Sequence, residues 1–381
     1  MNVRELLDQL VAFPTVSRDS NLPLIHFVKD YLHQHGVEST LVPNDEGTKS
    51  NLYATIGPSV PGGVMLSGHT DVVPIDGQDW HSDPFVVTEQ DGRLYGRGTC
   101  DMKAFIATAL ALLPEMQDLK VPIHLALSYD EEIGCVGAPR MIEQLKTDIP
   151  APSAIIVGEP TMMQTVTSHK GIMVNRTAVT GHEAHSSQTH QGVSAVMTAA
   201  RLVTYLDDMA QTLKANTPGG NGFDPAWTTV HVGTIAGGTA INIISRHCEF
   251  VWDLRNIPDD DPEELLHRFE HYCHEEMLPR MRDIAPETNI QIIQLAQAPA
   301  FRHEPDSAAV KLVQSLTNDP AFSVVPFAAE AGQFQQAGFS TVICGPGSID
   351  QAHKPDEFIS LEQLDRGVEF MRKLIHRFSA D

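Results

Sequence analysis

The chain has 381 residues, of which 42% are hydrophobic and 20% are charged, so it can bury a substantial core and hold two or three domains of ordinary size. Its formal net charge of −23 repels phosphate backbones and anionic membrane surfaces, which excludes nucleic acid and membranes as expected partners and favours cations. No apolar run has the length of a membrane span, and the N-terminus does not resemble a signal peptide, so we expect a soluble cytoplasmic protein. The five scattered cysteines include no C-x-x-C pair and predict reduced, packed thiols.

Apolar runs of strand length alternate with helical patterns in the first part of the chain. In chain order the patterns predict helices at 3–13 and 21–36, strands at 51–57 and 63–69, a helix at 103–117, and strands at 123–130 and 153–159. The strands are mostly too apolar to have a face in water. This alternation predicts an α/β sheet that is covered by helices.

The pattern changes after Lys170. Over 173–296 it predicts the order β-α-β-β-α-β, which is the split βαβ arrangement of a small α+β domain. Helices and strands of the first type return afterwards and end with a helix at 361–378. We therefore predict a larger α/β domain formed by 1–172 and 297–381, with a second domain of 173–296 inserted into it.

Polar residues collect where the predicted strands end. Because ligands bind at the carboxyl ends of strands in open sheets, we expect these side chains to meet in one crevice. Each one also has an ordinary interpretation: a loop histidine, a solvated acidic turn or, for Asp101, a helix N-cap. Together they suggest a site for a hard or borderline metal ion with no thiolate ligand. The residues are His69, Asp71, Asp130, Glu131, Glu132, Glu159 and His353.

Several motifs resemble the M20 family of metallopeptidases and deacylases, and the resemblance runs nearly from end to end. The motifs are GHTDVVP, LYGRGTCDMKAF, DEEIGCVGA, GEPT, AHSS and GPGSIDQAHKPDE. The resemblance implies a zinc-peptidase-like catalytic domain, with a mixed sheet covered by helices. It also implies that the inserted domain is a lid of two helices and four strands, through which the protein forms a homodimer.

The resemblance also implies a ligand set for two divalent ions, which we expect to be zinc, with cobalt or manganese as possible substitutes. Asp101 would bridge the two ions. His69 and Glu159 would complete the first site, and Glu132 and His353 the second. Asp71 would accept the second N–H of His69, and the peptide bond between Asp101 and Met102 would be cis.

The catalytic residues implied by the resemblance are Glu131 and His185. Glu131 would be the general acid and base of an amidohydrolase, taking a proton from water and handing it to the leaving amine. His185, from the lid, would donate a hydrogen bond to the oxyanion, commonly in the site of the other subunit. The substrate would be a small N-acyl amino acid.

Four residues are candidates for substrate binding. Asn242 and Arg255 match lid positions that contact a substrate carboxylate, and Lys170 is a second cation candidate. Glu330 could receive a protonated amine. Each has an ordinary alternative: Arg255 could pair with an aspartate in its own strand or loop (Asp253 or Asp259), Asn242 could cap a turn, and Glu330 could be a solvated loop acid.

Two other kinds of function stay open at this point. A dipeptidase would need a pocket for a free N-terminus. A metal-free binding relative would have kept the fold without the chemistry. The presence of all five ligands and of Glu131 favours the enzyme.

Overall fold

The computed structural model describes residues 1–379 and divides the chain into two compact units. The first unit comprises Met1–Ser168, Phe301–Val324 and the chain from Ala329 onward, and the second comprises His169–Ala300 and Val325–Ala328. Each unit has its own cluster of buried apolar side chains.

The strands, in chain order, are β1 (Ser39–Pro43), β2 (Ser50–Ile56), β3 (Val64–His69), β4 (Thr88–Gln90), β5 (Arg93–Tyr95), β6 (Ile123–Ser128), β7 (Ala154–Val157), β8 (Val166–His169), β9 (Ile172–Thr180), β10 (Thr229–Gly237), β11 (His247–Arg255), β12 (Asn289–Ala298), β13 (Ser323–Val325), β14 (Thr341–Ile343) and β15 (Phe358–Ser360). The α-helices are α1 (Val3–Val11), α2 (Leu22–Gln34), α3 (Lys103–Ala111), α4 (Ala138–Asp148), α5 (Ala195–Asn216), α6 (Pro262–His271), α7 (Leu278–Arg282), α8 (Ala308–Thr317), α9 (Ala331–Gln336) and α10 (Leu361–Phe378).

The first unit is built on a mixed sheet in the order β1-β2-β6-β3-β7-β14-β8-β13. Its four central strands, β6, β3, β7 and β14, run parallel to one another. Every residue of β3, β6, β7 and β14 is buried, in agreement with their nearly continuous apolar sequences. A smaller sheet in the order β15-β5-β4 completes this unit.

Helix α3 follows the loop of residues 96–102, which contains Gly96 and Gly98, and packs closely against the central strands. Gly158 makes this approach possible, because a Cβ atom there would lie 2.2 Å from ring atoms of Phe105. The helix is apolar and is buried along nearly its whole length. Its first residues are therefore held at the ends of β3 and β7.

The second unit has an antiparallel sheet in the order β10-β11-β9-β12. Burial alternates along β9, as expected for a strand with one face in a core. Helices α5 and α6 contribute to that core, and Trp252 of β11 donates its ring N–H to the Thr177 hydroxyl at 3.0 Å. Helix α6 continues through a π-helical turn, Tyr272–Met277, into α7.

Polar N-caps start the long helices where the sequence patterns begin. Each cap accepts a main-chain N–H from the first turn, which satisfies a donor that has no partner inside the helix. These caps are Ser194 for α5, Asp261 for α6, Ser307 for α8 and Ser360 for α10.

The predicted fold class is confirmed: a large mixed sheet with helices is accompanied by smaller separate sheets. The elements of 173–296 also follow the predicted β-α-β-β-α-β order. The patterns missed β1, β4, β5, β8, β15, α4 and α9, because most of these strands are short and their burial depends on pairing. None of the described helices is long and apolar enough to cross a membrane. All five cysteines are buried free thiols.

Candidate metal centre

The candidate ligands lie where the central parallel strands of the first unit end. His69 is the last residue of β3, Glu131 and Glu132 follow β6, and Glu159 follows β7. His353 lies beyond β14 in a loop that returns to the same edge. Because β6, β3, β7 and β14 are neighbours, these loops meet at one place.

Asp101 lies between the two histidines. Its Oδ1 is 3.0 Å from Nε2 of His69, and its Oδ2 is 3.4 Å from Nε2 of His353. Each carboxylate oxygen thus faces a different imidazole. The interpretation of Asp101 as a helix N-cap is wrong, because Met102 occupies the cap position of α3 without a side-chain hydrogen bond. The Asp101–Met102 peptide bond is cis, as the resemblance implied.

Glu132 and Glu159 each approach one histidine. Oε2 of Glu132 is 2.8 Å from Nε2 of His353, and Oε1 of Glu159 is 3.8 Å from Nε2 of His69. Oε1 of Glu159 is buried and has no hydrogen-bond partner among the described residues. A buried carboxylate oxygen of this kind, beside an imidazole nitrogen, fits a divalent cation between the two groups.

The electrostatics of the carboxyl groups support the same conclusion. Burial, together with the charge of Glu159, raises the pKa of Glu131 well above its ordinary range, and burial with Asp101 and other acids does the same for Glu159. Burial and the charge of Asp101 raise the pKa of Glu132 to about 7. A cation would favour the charged form of all these carboxyl groups, so the acids can be buried together when it is bound.

The neighbouring carboxylates in turn raise the pKa values of the two histidines. Burial disfavours a charge on His69, but the hydrogen bond to Asp101 and the charges of Glu159 and Asp101 raise its pKa. Hydrogen bonds to Asp101 and Glu132 raise the pKa of His353 to about 10. Metal binding must displace the proton from each ring, because a ligand imidazole is neutral. The donor set of two imidazoles and several carboxylates suits Zn²⁺ and related ions.

The Asp71 carboxylate does not make the predicted hydrogen bond to His69. The Nδ1–H of His69 donates to the main-chain carbonyl of Asp71 at 2.9 Å, whereas the Asp71 carboxylate lies 3.7 Å away. That carboxylate instead accepts the main-chain N–H groups of Glu131 and Glu132 at 3.2 and 3.3 Å, and the Ser17 hydroxyl at 2.7 Å. The main chain of Asp71 thus binds Nδ1 of His69 and leaves Nε2 available for a metal ion. The side chain of Asp71 positions the turn after β6.

Glu131 is buried beside the first group of ligands. Ligand atoms of His69, Glu131 and Glu159 lie within 4.8 Å of one another, as do those of His69, Asp101 and Glu132. The Cys135 thiol approaches Oε1 of Glu131 at 3.3 Å. The carboxyl group of Glu131 therefore lies at the centre without either of the close histidine contacts that Asp101 and Glu132 make.

The second unit contains His185 and Asn242, both of which are exposed. Nδ1 of His185 lies 2.8 Å from the Ser187 hydroxyl. The main-chain carbonyl of Asn242 accepts the N–H of Ser186 at 3.0 Å, while its side chain makes no hydrogen bond within the described part of the chain.

The two cationic candidates of the second unit each have a partner. Nε of Arg255 donates to Asp253 at 3.0 Å, which is the ion pair considered as its alternative. Lys170 is buried, and its ammonium group donates to the main-chain carbonyl of Trp227 at 2.6 Å. Burial lowers the pKa of Lys170. These contacts weigh against Lys170 as a group that is open to substrate.

Glu330 is neither a solvated loop acid nor a surface group. Its side chain is buried in the first unit, and burial raises its pKa to about 7. The Ser67 hydroxyl lies 3.4 Å from Oε2, and Oε1 has no hydrogen-bond partner among the described residues. This burial argues against direct contact between Glu330 and a substrate ammonium.

Sequence reasoning missed Arg97 and Glu357, a fully buried ion pair with an Nη1–Oε2 distance of 2.8 Å. Both residues lie inside the quoted motifs. The sequence signal for this pair was Glu357, the acid at the end of HKPDE. Nothing in the local pattern distinguished Glu357 from an exposed acid in a loop.

Buried acids around two imidazoles can hold a divalent cation, and a further carboxylate beside that cation can activate water for attack on an amide. The fold and this centre define a metal-dependent amidohydrolase. The profile of the family described as peptidase family M20/M25/M40 matches residues 65–377, and the chain belongs to this family.

The chain is similar to two proteins named acetylornithine deacetylase. The protein of Proteus mirabilis (strain HI4320) is 34% identical over 98% of this chain and 96% of its own length. That of Myxococcus xanthus is 35% identical over 99% of this chain and 97% of its own length. Among solved structures, an M20 family metallo-carboxypeptidase from Sulfolobus solfataricus has a TM-score of 0.78 at 18% identity, covering 98% of both chains.

Proposed function

We propose that the protein is a di-zinc amidohydrolase that removes the acetyl group from N-acetyl-L-ornithine, giving L-ornithine and acetate, a step of arginine biosynthesis. The similarity to acetylornithine deacetylases over nearly the whole chain supports this substrate. The observation that carries the two-metal proposal is the position of Asp101, whose two oxygens face different histidines. His69, Asp101 and Glu159 would hold the first ion, and Asp101, Glu132 and His353 the second.

The metal ions would supply a Lewis acid and would make a water molecule acidic enough to react at neutral pH. Glu131 takes the proton of the attacking water as the bond between the water oxygen and the acetyl carbon forms. It then delivers that proton to the amine nitrogen as the carbon–nitrogen bond breaks, so that acetate and the amine leave. Burial raises the pKa of Glu131 and a bound cation would favour its charged form, and the two opposing effects suit a carboxyl group that must accept a proton and then release it.

The remaining roles are proposed on the family resemblance. His185 donates to the oxyanion, in the site of a partner subunit, and Asn242 and Arg255 contact the substrate carboxylate. The homodimer, the cytoplasmic location and the inserted lid domain stay predictions. Lys170 and Glu330 have a weaker claim to substrate contact because both are buried.

A turnover screen of the zinc-loaded protein tests the proposed reaction. The substrates are acetylornithine, acetylcitrulline, succinyl-diaminopimelate, acetylmethionine and a dipeptide, and Glu131→Ala loaded in the same way is the control. We expect the highest kcat/KM with acetylornithine and no turnover by the variant. Preference for another substrate would indicate an acetylcitrulline deacetylase, a desuccinylase, a broad aminoacylase or a dipeptidase. A protein that binds metal but hydrolyses none of them would be a binding relative.

A further inference from the structure

Glu357 is buried although it is an acid in a loop. It lies four residues after His353, and its carboxylate accepts four hydrogen bonds from the loop that ends at Asp101. Oε1 accepts the main-chain N–H groups of Cys100 and Asp101 at 2.9 and 3.0 Å. Oε2 accepts the N–H of Gly98 at 2.9 Å and Nη1 of Arg97 at 2.8 Å.

These four neighbours of the carboxylate are all N–H donors. A buried carboxyl group that receives four hydrogen bonds has one well-defined position, because displacing it would leave buried donors without partners. Glu357 thus fixes the main chain at Asp101 relative to its own loop.

A second set of contacts joins the same two loops. Nη1 of Arg97 also lies 3.3 Å from the main-chain carbonyl of Lys354, and Nη2 donates to Oε1 of Gln78 at 2.5 Å. The amide of Gln78 donates to the main-chain carbonyl of His353 at 3.0 Å. The Arg97 guanidinium lies over the ring of Trp80 at 4.9 Å, which holds its plane in place.

We propose that Glu357 is a positioning residue that sets the separation of Asp101 and His353, and thereby the affinity of the second metal site. It touches neither metal ligand atoms nor substrate. The inference rests on the proposed two-metal centre. The proposed role of Glu357 differs from a purely stabilising one, because a buried ion pair that only stabilised the fold would leave the metal affinities unchanged.

The substitution Glu357→Gln tests the inference with little change in shape. An amide has one oxygen and one NH₂ group, so two of the four N–H donors lose their acceptor in either orientation. We expect the second site to lose affinity for Zn²⁺ by about 10- to 100-fold, the range seen when groups that orient ligands are changed. The first site, which lacks His353, should change much less. Competition with a chelator measures both affinities, and the absorption spectrum of the Co²⁺-loaded protein reports the ligand geometry.

Glu115→Gln is the matched control, because Glu115 also pairs with an arginine, Arg372, at 3.1 Å, but on the exposed surface. It should bind both ions like the wild type. For Glu357→Gln, kcat should recover at saturating Zn²⁺ while the metal concentration needed for half-maximal activity rises. If both affinities equal those of the wild type and only the unfolding temperature falls, the inference is wrong.

Gln78→Met provides a second test if Glu357→Gln does not fold. Gln78 is partly exposed, and the change removes the link from Arg97 to the His353 carbonyl together with the acceptor of the Trp80 ring N–H. We expect the same site to weaken, by a smaller factor. Unchanged affinities in this variant would also overturn the inference. A wild-type protein that bound no divalent ion at the ligand cluster would instead refute the proposed function itself.

Discussion

Buried charge is the dominant feature of the centre at the level of single residues. Three acids, Glu131, Glu132 and Glu159, have raised pKa values for the same first cause, which is burial. Without a cation these groups oppose one another, and in the proposed function a bound cation would make them ligands or a base. Whether each carboxylate is proposed as a metal ligand or as the base depends on which neighbouring atoms it contacts.

We predict that substituting Asp101 and substituting Glu131 have different effects on metal content and on turnover. Asp101→Ala should lose much of both metals and essentially all activity, because one carboxylate would serve both ions. Glu131→Ala should keep two metals and lose turnover, because only the proton transfer is removed. Elemental analysis after gel filtration measures the metals. Metal-free Glu131→Ala, or Asp101→Ala with two tightly bound ions, would contradict these roles.

Glu330 can be tested by the pattern of loss across substrates. Because its carboxyl group is buried next to Ser67, we expect Glu330→Gln to lower kcat/KM for acetylornithine, acetylcitrulline and acetylmethionine by similar factors. Steady-state kinetics with both metals loaded provide the comparison. A loss of about ten-fold or more confined to acetylornithine would instead restore Glu330 as the group that recognises the substrate ammonium.

The secondary-structure elements determine the positions of the candidate ligands. Central parallel strands deliver ligands to one edge, and the loop before α3 adds Asp101 between them. Two carboxylates outside the proposed ligand set, Asp71 and Glu357, accept main-chain N–H groups of the segments that carry the candidate ligands. Loops are therefore fixed by side chains from other loops, rather than by strand pairing.

One central strand contains a buried titratable group away from the centre. His124 of β6 is buried, its Nδ1 lies 2.9 Å from the Thr55 hydroxyl, and burial lowers its pKa to about 4. The unfolded chain binds this proton below pH ~6.5. Its contribution to the free energy of unfolding is therefore complete above pH ~6.5 and is lost as the pH falls towards 4, amounting to ~3 kcal/mol.

We therefore expect His124→Gln in the metal-free protein to lose less stability than the wild type between pH 6.5 and 4, by the amount just given. Urea unfolding at several pH values measures the difference in slope. His33→Gln, at an exposed position of α2, is the control and should follow the wild type. Parallel curves for wild type and His124→Gln would show that His124 titrates normally.

The whole molecule consists of two units, and the proposed role of His185 concerns the dimer. If His185 serves the partner's site, a mixture of His185→Ala and Glu131→Ala chains should form mixed dimers with one intact site each. Equal mixing makes half of the dimers mixed, so about one quarter of wild-type activity should return. Activity assays after unfolding and joint refolding test this. Mixtures as inactive as both parents would mean that His185 acts within its own chain or has no catalytic role.

Residue patterns were sufficient to predict the fold class, the element order of 173–296 and the residue types that gather at strand ends. These follow from local rules: periodicity predicts burial, and the ends of buried parallel strands predict a shared edge. The family resemblance implied how the candidate ligands are shared between two ions, and the distances from Asp101 to both histidines are compatible with it.

The contacts between individual atoms of those residues could be read only from the folded chain. It replaced the Asp71 carboxylate by the main-chain carbonyl as the partner of His69, and it buried Lys170 and Glu330. Glu357 contacts the N–H of Asp101 across 256 residues of sequence. No local pattern encodes such a contact, because it depends on how two distant loops pack against the same sheet edge, and so its role emerged only from the folded chain.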